Sequence, residues 1–455
     1  MSFSGLSFEK ISLQEIIEEK RFPCDCGRTH ATQIRFAHIS AGATLKLVQV
    51  LAQLGIRRPF VVCDQNTWKA AGLRVVEALK AGGISHGLFV LSGDRLEPDE
   101  AAVGALAMAF DPACDGILAV GSGVLHDCCK VLAKSCGKPE LIVATAPSMD
   151  GYASDSASMV RERVKVTLPA SGPVAIIADT DVLCQAPLRM LQAGLGDMLA
   201  KYLAIFEWRL SNLVTGEWYC ERVAQLVRSS LRKCRGNADR LLQRDPAAVE
   251  AVMEGLVLSG IAMEFAQCSR PASGLEHYFS HIWEMMALER HRASDLHGIQ
   301  VGIGVNLTLR ILERLLLQAP DMEAARRHLA AFDAAEWEHN VRRIFGGSAE
   351  TLIRGETERY HKNDPAQASL RIQAVERCWE GIVQAAREEL PGSAAVLALM
   401  QRLDMPVWPA DIGVSPRDAA DALIGSRDIR DKYLVSSLLW DLGLLDAYAA
   451  ELERG

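Results

Sequence analysis

The chain has 455 residues, 49% of them apolar and 23% charged. That is the make-up of a folded globular protein and excludes a disordered or low-complexity one. Acidic residues outnumber basic ones by 57 to 49, a net charge of −8, which argues against a sequence-independent nucleic-acid binder. Twelve cysteines are sparse and irregularly placed in so long a chain and form no disulfide framework. The first residues, MSFSGLSFEKISLQEIIEEKRF, mix acids and bases without the apolar run of a signal peptide. No uninterrupted apolar stretch reaches the roughly 18 residues of a membrane span. The expectation is a reduced, cytoplasmic protein with no nucleic-acid partner and no membrane span.

In chain order, the first chemically suggestive segment is FPCDCGRTH at 22–30. Cys24, Cys26 and His30 are soft ligands, but Cys-x-Cys is not zinc-ribbon spacing and no matching second pair follows. A structural entry strand or a redox-sensitive pair is preferred there to a metal. From 40 to 185, short apolar runs alternate with helical patterns. The runs at 58–63 (RPFVVC), 87–91 (GLFVL), 116–120 (GILAV), 141–144 (LIVA) and 174–177 (VAII) predict buried strands. Helices are predicted between them at 67–81, 99–110 and 125–135. Strands alternating with helices imply a parallel sheet covered on both faces, with ligands beyond the carboxyl ends of the strands.

From Leu188 onward only 3.6-residue periodicity remains, at 197–215, 246–266, 301–318, 365–389 and 428–452. Length alone suggests about three domains. The change of character reduces these to two, an α/β dinucleotide-binding domain at 1–185 and a helical metal- and substrate-binding domain at 186–455. The active site is expected in the cleft between them.

Three features carry candidate chemistry. Strand 116–120 runs into Gly121, Ser122 and Gly123 and then a helix, a turn whose amides and helix dipole suit a phosphate. It is neither GxGxxG, since residue 126 is His126, nor a Walker loop, and a tight turn without a ligand explains it equally. Asp64 ends an earlier strand, where a carboxylate either bonds ribose hydroxyls or caps the following helix. In an ordinary Rossmann unit the acid follows the glycines by about 20 residues; here it precedes them, so the ordinary strand order is disfavoured.

The third feature is a histidine cluster. His277, His281, His291 and His297 fall within 22 residues, and the i, i+4 spacing of His277 and His281 sets both on one helix face. Two such imidazoles plus a carboxylate make an open three-ligand site for zinc, nickel or iron; the alternative is histidines satisfied by solvent or core. Asp197, in AGLGDMLAKY, is the candidate carboxylate, although an acid in a first helical turn also complements the dipole.

The series GSGVLHDCCK, TAPSMDGYAS, GLGDMLAKY, SRPASGLEHYFSHIWEM, HGIQVGIG and RDIRDKYLVSSLLWDLGLL resembles bacterial sn-glycerol-1-phosphate dehydrogenases of the AraM type. Their superfamily includes glycerol dehydrogenases, iron-type alcohol dehydrogenases and dehydroquinate synthase. The resemblance implies a dehydroquinate synthase-like architecture, an N-terminal α/β domain followed by an all-α domain. It implies NAD, rather than NADP, with Asp64 on the adenosine ribose and Gly121, Ser122, Gly123, Val124 and Leu125 on the pyrophosphate. Thr145, Ala146, Pro147, Ser148 and Ser154 would hold the nicotinamide end. Asp197, His277 and His297 would ligate one divalent metal, nickel or zinc before iron. Asp150 and Asp197 would fix the substrate hydroxyl, and His281 would face the substrate. The implied reaction is metal-dependent reduction of dihydroxyacetone phosphate to sn-glycerol 1-phosphate and its reverse. The alternative substrate is an unphosphorylated polyol such as glycerol. GSG, and GIQV where relatives often show GEKV, depart from the pattern at positions dominated by backbone contacts. Helices around 320–400 exceed the family core and are expected at an oligomer interface, a homodimer first. Lys201 and Arg292 are nearby cations expected to be solvated.

Overall fold

A computed structural model describes residues 8–93, 96–162 and 164–454. Among these residues, ten strands lie in three sheets: β1 (Arg21–Pro23), β2 (Thr29–Ala31), β3 (Phe36–Ser40), β4 (Pro59–Asp64), β5 (Gly87–Leu91), β6 (Gly116–Gly121), β7 (Glu140–Ala144), β8 (Ser156–Arg161), β9 (Val164–Pro169) and β10 (Ala175–Asp179). The chain forms two compact units. One contains the chain up to Met198 together with Cys220–Ala272; the other contains Leu199–Tyr219 and the chain from Ser273 onward. The compact units are therefore not continuous in sequence, and they partition the chain differently from the strand-to-helix change near residue 186.

In the first unit six strands form one parallel sheet in the order β3-β10-β7-β6-β4-β5. All five predicted strands are present. The central ones are apolar throughout because both faces are covered: Val61, Val62, Leu118, Ala119, Ile142 and Val143 are fully buried. The additional strand β3 (FAHIS) escapes a hydrophobic scan because it is an edge strand with one buried residue. Two antiparallel hairpins, β1–β2 and β8–β9, complete the unit's strands.

The sheet's connectivity matters most for function. From β4 the chain moves to β5 on one side; from β6 it moves to β7 on the other. Strands β4 and β6 are direct neighbours, with Val62 opposite Ala119. Their carboxyl ends therefore flank the point where the winding reverses, the place where open parallel sheets bind ligands. Those ends are Asp64 and Gly121.

Helix Pro246–Ala266 is the one described helix long and apolar enough to cross a membrane, and 72% of its apolar window is buried. It packs against helix Glu221–Asn237 inside the first unit.

The second unit has no strands among its described residues. Helix Lys201–Thr215 packs on Pro365–Glu389, Leu275–Glu289 on His297–Leu315, and Pro416–Gly425 on Leu445–Arg454. The predicted helix at 428–452 is broken. The Lys362 ammonium takes the carbonyl oxygens of Arg427 and Arg430, holding the segment before Val435 in a bend. The helical path resumes at Val435–Asp441, and Gly443 at φ +69° separates that helix from Leu445–Arg454.

Candidate active site

In the first unit, Asp64 ends β4 and caps the next helix. Its Oδ1 accepts from the amides of Asn66 and Thr67, both at 2.7 Å, while its own amide donates to Thr67 Oγ1 at 2.9 Å. The helix-cap reading of Asp64 is thus realised, and both backbone bonds fall on one carboxylate oxygen. Beside it, Gly121 ends β6 and Ser122 precedes helix Gly123–Cys136 without a side-chain capping bond. A methyl group at Gly121 would come within 2.5 Å of Leu125 Cδ1, so the tight turn itself demands glycine. The Thr145 amide donates to the Gly121 carbonyl at 2.9 Å, joining the glycine turn to the 145–148 turn after β7.

The segment 145–154 is clasped from several sides. The fully buried Lys130 ammonium donates to the carbonyls of Gly151 (2.7 Å) and Ser156 (3.0 Å). Tyr152 donates to the Ala146 carbonyl at 2.5 Å, and burial pushes its phenol up, keeping it a donor. Helix Leu188–Leu199 approaches so closely that a methyl at Gly194 would collide with the Pro147 carbonyl oxygen. Thr145, Ser148 and Ser154 are nearly buried, with Ser154 Oγ 2.8 Å from Ser156 Oγ.

Asp197 is fully buried, and its Oδ2 accepts the Asp150 amide at 2.9 Å. The Asp150 carboxylate in turn accepts from Ser259 Oγ at 3.0 Å. The single helix predicted over 197–215 is two, Leu188–Leu199 and Lys201–Thr215. Asp197 therefore occupies a last turn, not a first. A carboxylate there opposes the helix dipole, so dipole complementation no longer accounts for it. Gly194 and Gly196 lie inside the helix rather than bending the chain before it, and at Gly194 close contact with Pro147 needs a residue without Cβ.

In the second unit, His277 and His281 lie on helix Leu275–Glu289, and His297 is the first residue of helix His297–Leu315. The ring centroids are 5.3 Å apart for His277 and His297, 5.4 Å for His281 and His297, and 6.2 Å for His277 and His281. Gly304 lets the two helices meet: a methyl there would lie 2.5 Å from the Glu276 carbonyl oxygen.

Each ligand-type imidazole is oriented through Nδ1. His277 Nδ1 lies 2.9 Å from Glu276 Oε1, and the same oxygen accepts the Gly274 amide at 2.7 Å. His297 Nδ1 lies 3.0 Å from Ser280 Oγ and 3.4 Å from Glu284 Oε1. An Nδ1–H held by a carboxylate fixes the tautomer and presents Nε2 as a lone-pair donor. The donor chemistry of this chain therefore fits a divalent metal. His281, Glu284 and His297 also bring three ligand atoms within 4.8 Å of one another. The buried Glu207 supports the same helix, accepting the Leu275 amide through Oε2 and the Val435 amide through Oε1, each at 2.7 Å.

Residues 38–187 match the family described as iron-containing alcohol dehydrogenase. The chain is 35% identical over 288 residues to the glycerol-1-phosphate dehydrogenase [NAD(P)+] of Halalkalibacterium halodurans, an alignment covering 62% of this chain and 72% of that one. The chain belongs to the glycerol-1-phosphate dehydrogenase family. The protein of that name from Geobacillus thermodenitrificans is 29% identical over 381 residues, covering 83% and 85% of the two chains. Among solved structures, glycerol dehydrogenase from Schizosaccharomyces pombe superposes with a TM-score of 0.56 at 16% identity, covering 93% of each chain. That likeness establishes the shared fold.

For a member of the glycerol-1-phosphate dehydrogenase family, several well-placed residues went unflagged in the sequence. Glu276, Ser280 and Glu284 orient the histidines; of these only Glu284 carried a signal, lying three residues past His281 on the same helix face. Lys130 and Ser259 act from distant parts of the chain and carried none. Lys201 corrects an expectation: it is fully buried, not solvated, whereas Arg292 is exposed as expected.

Proposed function

We propose that this chain catalyses the NAD(P)H-linked reduction of dihydroxyacetone phosphate to sn-glycerol 1-phosphate, and the reverse oxidation, with one divalent metal held by Asp197, His277 and His297. The observation that carries the reading is the Glu276–His277 pair, 2.9 Å apart, since a carboxylate on Nδ1 is the arrangement of a ligating imidazole. Family membership supplies the substrate class. When bound, the metal polarises the C2 carbonyl and the nicotinamide supplies the hydride.

The chain's own residues account for the remaining work. Asp64 accepts ribose hydroxyls and its charge repels a 2′-phosphate, favouring NAD over NADP. The amides from Gly121 to Leu125 bind the pyrophosphate, aided by the helix N-terminus at Gly123. The turn of Thr145, Ala146, Pro147 and Ser148, together with Ser154, positions the nicotinamide end on a segment that Lys130 and Tyr152 hold rigid. Asp150, steadied by Ser259, orients a substrate hydroxyl and so selects the carbonyl face presented to the hydride. His281 delivers a proton to the C2 oxygen as hydride reaches C2. Two imidazoles and one carboxylate suit zinc, nickel or iron alike, and the resemblance to the family puts nickel or zinc before iron.

The test is NADH oxidation with dihydroxyacetone phosphate and dihydroxyacetone side by side, with the enantiomer of the product determined. Turnover of the phosphorylated ketone to sn-glycerol 1-phosphate is expected. Turnover of dihydroxyacetone alone would transfer the assignment to a polyol dehydrogenase.

A further inference from the structure

The N-terminal segment FPCDCGRTH folds as the hairpin β1–β2, with Pro23 opposite Thr29. Its turn is a knuckle: the Cys24 amide donates to the Arg28 carbonyl at 2.9 Å and the Gly27 amide to the Cys24 carbonyl at 3.0 Å. Gly27 sits at φ +84°, a conformation that glycine adopts without strain. The knuckle turns Cys24 and Cys26 toward His30 on β2. The sequence offered no fourth partner, yet the fold brings one from far along the chain. Cys220, buried at the start of helix Glu221–Asn237 in the same unit, lies 3.7 Å from Cys24 Sγ and 3.4 Å from His30 Nε2. Cys26 Sγ is also 3.4 Å from His30 Nε2, and one ligand atom from each of the four residues lies within 4.8 Å of the others.

We infer that Cys24, Cys26, His30 and Cys220 form a closed tetrahedral zinc site that ties the N-terminal hairpin to the helical part of the first unit. The distances are those of zinc ligands. Bonds of about 2.3 Å to sulfur and about 2.05 Å to nitrogen set tetrahedral ligand atoms roughly 3.8 Å apart for two sulfurs and roughly 3.6 Å for sulfur and nitrogen. A disulfide, by contrast, needs its sulfurs about 2.05 Å apart, well inside the 3.7 Å between Cys24 and Cys220.

The imidazole is set for the role. His30 is fully buried, and its Nδ1 lies 3.0 Å from the Phe265 carbonyl oxygen. A carbonyl accepts only, so Nδ1 carries the proton and Nε2, the atom facing the thiols, presents its lone pair. Three sulfurs and one nitrogen make a soft donor set that selects zinc, and four protein ligands leave no position for substrate. The site is therefore structural. Through Cys220 it holds helix Glu221–Asn237, and through the His30–Phe265 contact it reaches helix Pro246–Ala266. This inference is independent of the catalytic proposal, because it uses none of those residues.

Cobalt substitution tests it, since thiolate ligation gives a sulfur-to-cobalt charge-transfer absorption that an Asp/His/His site cannot produce. The wild-type chain and His277→Ala are produced in cobalt-supplemented medium, and Cys26→Ser alongside them. The expected result is strong near-ultraviolet charge-transfer absorption with at least one cobalt per chain in both wild type and His277→Ala, with the band lost or reduced by about a third in Cys26→Ser. Absence of the thiolate band in folded wild type, or a non-reduced peptide map joining Cys24 to Cys220, would overturn the assignment. Should Cys26→Ser fail to fold, the wild-type and His277→Ala spectra still decide.

Discussion

The molecule carries two clusters with the chemistry of metal ligands, and they differ in nearly every respect. One is built from imidazoles on two consecutive helices, steered by the carboxylates Glu276 and Glu284 and by Ser280. The other joins a hairpin knuckle to a helix 190 residues away and is steered by a backbone carbonyl. A carboxylate or a backbone carbonyl on Nδ1 fixes the ring and makes Nε2 more basic, and the charged acceptor does so more strongly. Three ligands leave a coordination position open for chemistry; four close it. The contrast teaches that ligand count and the partner behind each imidazole separate a working site from a structural one.

The largest expected effect breaks the pair apart. His277→Ala should lower kcat/KM at least about 10³-fold, the scale of a lost Lewis acid, while leaving the thermal midpoint and the thiolate–cobalt absorption close to wild type. Steady-state kinetics and a thermal melt check it; retention of full activity would remove His277 from the ligand set. Cys220→Ser should do the converse. Losing a structural ligand is among the strongly destabilising changes, about 3 kcal/mol or more, and the surviving folded fraction should keep its kcat. A denaturant titration paired with active-site titration distinguishes this from a catalytic defect.

Next in size is Glu276→Gln. Changing the partner of a ligating histidine typically lowers metal affinity or activity 10–100-fold, so activity should fall by about that factor and recover with added metal. A loss that no metal concentration reverses would mean that Glu276 acts only by holding the Gly274 amide.

How far sequence alone reaches follows the same divide. The helix-face histidines were legible because i, i+4 spacing is local, and the central strands because burial on both faces makes their residues uniformly apolar. The glycine turn was legible as a turn. Its relation to Asp64 became physical only with the strand order, which puts β4 beside β6. Cys220 was illegible because its role depends on tertiary folding across the whole first unit. Asp197 was placed at the wrong end of a helix because Gly194 reads as a breaker, when its purpose is close contact with Pro147. Hairpin β8–β9 was missed because its buried positions include the small Ala157 among exposed or half-buried polar neighbours.

The smallest prediction concerns what helps the zinc cluster hold the hairpin. Glu264, one residue before Phe265, accepts the Gln33 amide at 2.8 Å just beyond β2. Burial pushes its carboxyl up to about 7, with the charge of Asp155 adding to the shift and hydrogen bonds from Thr32 and Gln33 opposing it. A carboxyl whose folded pKa lies above its unfolded value of 4.5 holds its proton more tightly in the native state. Its stabilising contribution is therefore full below about pH 4.5 and is lost as pH rises through about 7. Glu264→Gln keeps an acceptor for the Gln33 amide yet never ionises. Its thermal midpoint should match wild type near pH 5 and exceed it by about 2–4 °C at pH 8. A gap between the two melts that does not widen with pH would mean that the carboxylate is solvated in the native state.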